Sequence, residues 1–109
     1  MEKISYEYAA GESAKERVLA GVVASGDLEV LIEPQNAPHK AGISTIQVNT
    51  SVDGMASVWE ALLHRIFTAS LLPAVRVEIN DFGATPGVVR LRIEQAFEEL
   101  AHVSAASDK

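Results

Sequence analysis

The sequence predicts an α+β fold: a two-layer sandwich of mostly antiparallel sheet with two helices on one face, in the order β-ββ-β-α-β-α. Short runs with alternating apolar residues recur through the first half and once more near residue 77, which is the period of half-buried strands. Two longer segments place apolar residues three and four apart, the period of amphipathic helices. Turn and breaker residues separate nearly all of these runs.

The elements follow in order. Ile4, Tyr6 and Tyr8 alternate with Ser5 and Glu7 and predict an edge strand ending before Gly11. Residues 11–16 form a polar linker. Residues 18–23 and 28–32 then read as the arms of a hairpin, with Leu28, Val30 and Ile32 on one face and Glu29 and Glu33 on the other. Between them stands Ala24-Ser25-Gly26-Asp27, whose central Ser-Gly pair predicts a two-residue turn, because glycine accepts the positive φ that such turns demand. This sets the Ser25 hydroxyl at the tip of a two-stranded ribbon.

Residues 34–42 form a loop, bounded by Pro34, Pro38 and Gly42. A strand is expected over residues 43–52, where Ile46, Val48 and Val52 share a face. Asp53 offers an N-cap for a helix over residues 55–69, with Val58, Trp59, Leu62, Leu63, Ile66 and Phe67 as its apolar stripe and Glu60 and His64 on the solvated side. Pro73 ends that segment. Val75, Val77 and Ile79 make the last strand, and residues 81–84 turn out of it. Thr85 as N-cap and Pro86 at the first helical position start the second helix, whose buried side is Val89, Ile93, Ala96, Phe97 and Leu100. One domain over residues 1–103 and a flexible polar tail over 104–109 are expected.

Composition removes several function classes. The chain has 109 residues and a formal charge of −6, which disfavours a phosphate-backbone partner and so nucleic acid. With no cysteine, thiolate chemistry, disulfides and cysteine metal sites are excluded. Residues 1–4 carry no basic leader and no run of eighteen apolar residues occurs, so a cytoplasmic protein with no membrane partner is expected. His39, His64 and His102 fall in three different elements without metal-ligand spacing, and no metal site is expected.

Gly83 and Gly87 flank Thr85-Pro86, where the proline removes an amide that a phosphate loop would use; a helix cap is the better reading. Arg90 and Arg92, with Glu94, could hold an anion but suit a solvated helix face. Ser25 has only Asp27 near it in sequence, and neither a Ser25 nor an Asp81 enzyme shows a triad. No catalytic residue is expected.

Three blocks give the chain a resemblance to a known family. They are residues 21–34, containing Ala24-Ser25-Gly26-Asp27; residues 46–52; and residues 81–94, opening Asp81-Phe82-Gly83-Ala84-Thr85-Pro86-Gly87. With them the chain resembles the malonate decarboxylase acyl carrier proteins, the delta subunit family, and more distantly the acyl carrier subunit of citrate lyase. The third block favours the malonate system. The resemblance implies that Ser25 accepts a phosphoribosyl-dephospho-CoA group through a phosphodiester. It also implies that the thiol of this group carries acetyl, exchanges it for malonyl and returns to acetyl on decarboxylation.

The partners implied are the acyl transferase and decarboxylase subunits of the same complex, and a prosthetic-group transferase. Small neighbours such as Ala24 and Gly26 suit a hydroxyl that a transferase must surround. Acidic Asp27 and Glu29 would steer the domain toward basic grooves. The readings set against a malonate carrier are a citrate-type carrier and a non-catalytic adaptor that binds through its open sheet face.

Overall fold

The computed structural model describes residues 2–21 and 26–107. Its elements are β1 (Glu2–Ala9), β2 (Val18–Gly21), β3 (Leu28–Pro34), β4 (Ile43–Thr50), α1 (Ala56–Ala69), β5 (Val75–Asp81) and α2 (Pro86–Ser107), with a 3-10 turn at Pro38–Lys40. This is the predicted order. The strands form one sheet in the order β1-β4-β5-β3-β2. Three pairings are antiparallel and β4 with β5 is parallel. The exception has a simple cause: α1 carries the chain back across the sheet between β4 and β5, so both run the same way.

Period-two patterning puts one face of this sheet under the helices. Leu28, Val30 and Ile32 of β3, Ile46 and Val48 of β4, and Val75, Val77 and Ile79 of β5 are all buried. They pack with Trp59, Leu63 and Phe67 of α1 and with Val89, Ile93, Ala96 and Leu100 of α2. Burial of these side chains is the main force holding the layers together, at about 1.5–3 kcal/mol for each large apolar group. The other face is polar. There Asn49 donates to Asn80 at 2.9 Å, Asn80 donates to Glu29 at 2.9 Å, and Arg76 pairs with Glu33 at 3.0 Å.

The local differences from expectation have physical reasons. Asp53 does not cap α1; Met55 stands at the N-cap without a side-chain bond, because Gly54 at φ +79° turns the chain between them. Val58, expected in the apolar stripe, is 38% exposed. β4 ends at Thr50, whose hydroxyl turns inward to a carboxylate. The linker over residues 11–16 is tied by its backbone to residues 72–74, with Gly11 donating to Leu72 at 2.9 Å and Ala14 to Ala74 at 3.0 Å. Helical backbone in α2 continues through Ser107.

The two arms of the hairpin pair as expected, in a register that the sequence does not fix. A two-residue turn at Ser25-Gly26 would set Ala24 opposite Asp27, and hence Gly21 opposite Val30 in an unbroken ladder. Gly21 is instead opposite Glu29, one residue out of that register. Residues 22–25, Ser25 among them, lie outside the described residues. The ribbon is also no free finger. β3 is paired on its other side with β5 from Leu28 opposite Asp81 to Pro34 opposite Val75. Gly26 and Asp27 extend that pairing: Gly26 N–H donates to the Phe82 carbonyl at 2.8 Å, and Phe82 N–H donates to the Asp27 carbonyl at 2.9 Å.

Candidate functional site

Two loops meet at this end of the sheet. One enters β3 through Gly26 and Asp27, and the other leaves β5 through residues 82–85 to start α2. The second is built on Asp81. This residue is 5% exposed, and its Oδ1 accepts the backbone N–H of Gly83 at 3.2 Å and of Ala84 at 2.9 Å. Its Oδ2 accepts the Thr50 hydroxyl at 2.8 Å. A carboxylate bonded in this way anchors a turn, with three of its lone-pair positions committed to the fold. Thr85 then caps α2 as the sequence predicts, its Oγ1 accepting Val88 N–H at 3.3 Å.

Asp27 fixes the first loop. Its Oδ1 accepts the N–H of Leu28 at 2.7 Å, and both of its oxygens accept from Arg92 of α2, Nε at 3.1 Å and Nη2 at 2.9 Å. This is a two-pronged guanidinium–carboxylate pair, the geometry in which arginine holds a carboxylate most firmly. Arg92 is itself steadied by Gln95, whose Oε1 accepts from Nη1 at 3.1 Å. Gly26 and Asp27 are therefore clamped to the sheet by backbone bonds and to α2 by an ion pair.

Arg92 is the residue that sequence reading missed. It is taken there for part of a solvated helix face, and only Arg90 fits that description, pairing with Glu94 one turn on. No local signal links residues 27 and 92, which are brought together by the packing of α2 on β2 and β3. The steering role expected of Asp27 is corrected accordingly, since its charge is met by Arg92 within the same molecule. Glu29 likewise accepts a bond from Asn80.

Hydrogen bonding from Arg92, then from the Leu28 amide, holds the Asp27 carboxyl below its ordinary value of 3.8. A depressed carboxylate contributes stability that is fully present above the unfolded value and is lost as pH falls through the folded one. The clamp should therefore persist at pH 4 and release at a pH below 3.8. In an NMR titration of the Leu28 amide, the midpoint should lie below 3.8 and move up toward it in Arg92→Ala. A midpoint unmoved by that substitution would show that Arg92 does not hold Asp27.

The histidines stand apart: His39 in the 3-10 turn, His64 on α1 beside Tyr8, and His102 on α2. Among the described residues, no three His, Cys, Asp or Glu side chains converge as metal ligands. Nor is any described helix long and apolar enough to cross a membrane.

Residues 15–100 match the family described as "ACP: Malonate decarboxylase delta subunit (MdcD)". The chain is 54% identical over 102 residues to the malonate decarboxylase acyl carrier protein of Pseudomonas syringae pv. syringae (strain B728a), covering 94% of this chain and 99% of that one. It is 53% identical over 102 residues to the protein of the same name from Stutzerimonas stutzeri (strain A1501), with the same coverage. A chain in the crystal structure of a Pseudomonas malonate decarboxylase hetero-tetramer in complex with malonate superposes with a TM-score of 0.85. It is 53% identical, and the match covers 92% of this chain and 99% of that one. Fold and sequence thus define a small α+β carrier domain. The chain belongs to the malonate decarboxylase delta subunit family of acyl carrier proteins.

Proposed function

We propose that this chain carries acetyl and malonyl groups as thioesters on a phosphoribosyl-dephospho-CoA group joined to Ser25 through a phosphodiester. The observation that supports it best is the match over 94% of the chain to malonate decarboxylase acyl carrier proteins. The surroundings of the Ser-Gly-Asp element agree with it. Gly26 sits at φ +79° with open space where a side chain would be, which lets a modifying enzyme approach the chain beside Ser25. Behind it, the bonds to Phe82 and Arg92 give a stiff base.

Once attached, the group supplies the thiol on which the acyl chemistry takes place. The chain itself contributes position. It holds the attachment loop at the edge of a rigid sheet, so that a long arm raises the effective concentration of its acyl end at successive active sites. It has no catalytic residue of its own in this reading. Its partners are the acyl transferase and decarboxylase subunits of one complex and a prosthetic-group transferase, and it works in the cytoplasm.

The test is an intact-mass measurement on protein produced together with its cognate prosthetic-group transferase, followed by peptide mapping. The expected result is one phosphate-containing adduct, localised to Ser25. An unmodified chain under those conditions, or an adduct mapping to another residue, would overturn the reading.

A further inference from the structure

A cavity of about 210 Å³ opens at the same end of the molecule, between the start of α1 and the loop that leads into α2. Its walls are largely apolar, formed by Val52, Met55, Val58, Trp59, Pro86 and Val89, with Asp81 and Thr85 as polar groups. Val52 and Val58 are 39% and 38% exposed at this site, an apolar rim that the other described residues leave partly open. Gly83 also lines it, and a Cβ placed on Gly83 would stand 3.9 Å from the nitrogen of Gly26. Gly83 thus stands between the cavity and Gly26, the residue that follows the proposed attachment serine.

We propose that this cavity binds the purine base of the nucleotide arm on Ser25, an inference that rests on the attachment proposed above. Three features select the base over the rest of the arm. Whole small-molecule sites are typically about 300–1,000 Å³, so this one takes a compact piece, and a flat bicyclic ring is such a piece. The base lies near the anchor, whereas the thiol end is the most distant part and must stay free to visit other subunits.

The third feature is the polar group in the wall. A carboxylate offers about four lone-pair positions, of which Gly83, Ala84 and Thr50 occupy three on Asp81. The remaining one can accept from an exocyclic amine, the donor that adenine carries. Tethering makes weak intrinsic binding sufficient, since a short flexible link supplies millimolar effective concentration. With its base seated, the arm pivots from a point fixed against the protein.

The chain has a single tryptophan, Trp59, which lines this cavity and reports on it. Unmodified full-length protein is titrated with adenosine 5′-monophosphate, with uridine 5′-monophosphate, whose base has no exocyclic amine, and acetyl-pantetheine as comparators. Trp59 fluorescence and the amide shifts of Gly83 and Ala84 are followed. The expected result is saturable binding of the purine nucleotide with a Kd of about 1 mM, the range a tether can exploit. The pyrimidine nucleotide should bind about tenfold more weakly, the worth of one lost hydrogen bond in a favourable case.

Val58→Glu and, separately, Val52→Glu place a charge on the half-exposed rim and should weaken purine binding by a similar factor with the melting temperature held. Two such variants keep the test valid if one of them fails to fold. Absence of a saturable purine response overturns the inference, as does an equal response to pyrimidine or to acetyl-pantetheine. The mass measurement on Ser25 is independent: an adduct there without purine binding sinks this inference alone. Purine binding to a chain that never acquires the adduct overturns the tethered occupant and the attachment together.

Discussion

Ser25→Ala is expected to abolish the mass gained on co-production with the prosthetic-group transferase and to leave the fold in place. The bond in question joins a serine oxygen to phosphorus, and alanine offers no oxygen. No partial modification should remain. Removing one hydroxyl from the link between β2 and β3 should change stability by about 0.5 kcal/mol or less, so circular dichroism melts of variant and wild type should coincide. The core among the described residues is complete without this side chain, since β2, β3, β5 and the two helices close on Leu28, Val30, Ile32, Ile79, Leu63 and Ile93.

The informative control lies in neighbouring hydroxyls. Ser51 and Thr85 are exposed close to the same end of the sheet, Ser51 through its backbone bond to Asp81 and Thr85 at the cap of α2. A transferase that reads only the shape of this surface could use either one. A folded Ser25→Ala protein that still gained the group there would refute the assignment of Ser25 and leave the carrier role standing. A variant with no adduct and an unchanged melt would support both.

Much of the fold was legible because it rests on local periodicity. Val75, Val77 and Ile79 alternate with charged and amide side chains, and that pattern alone places β5 with one dry face. Thr85-Pro86 announces the start of α2 through its own chemistry, and the Thr85 cap bond is there. The Asp53 reading failed for the opposite reason. A good capping residue occurs in the sequence, but Gly54 inserts a turn that moves the helix start past it.

The site was legible only in part. The motif around Ser25 could be located, and its setting could not. That setting depends on the pairing of β3 with β5 and on Arg92, which lies 65 positions from Asp27 and meets it only once α2 has packed. Register was the other hidden quantity: Gly21 stands opposite Glu29, with the Leu28 carbonyl close against it. Sequence spacing carries no record of such an approach.

That approach gives the second large effect, in Gly21→Ala. Gly21 closes β2 at φ +98°, in the region that residues with a Cβ rarely enter. A Cβ built there would lie 2.0 Å from the carbonyl oxygen of Leu28 and 3.2 Å from the Cα of Glu29. Both obstacles are backbone, and no rotamer can relieve them. Nor can β3 retreat, since Leu28 is fully buried and its strand is held to β5 by the ladder that begins with Leu28 opposite Asp81.

Gly26 supplies the comparison. It has a similar φ of +79°, yet nothing lies within 4 Å of its would-be Cβ. Gly26→Ala should therefore show the conformational penalty alone, about 1–2 kcal/mol. Gly21→Ala should add the steric clash, for a total of about 3 kcal/mol or more, which in a domain of this size lowers the melting temperature by roughly 10 °C or more. Paired thermal melts measure the difference. Equal losses in the two variants would mean that β2 can draw away from β3 without penalty, and this sheet edge would then be far softer than its contacts require.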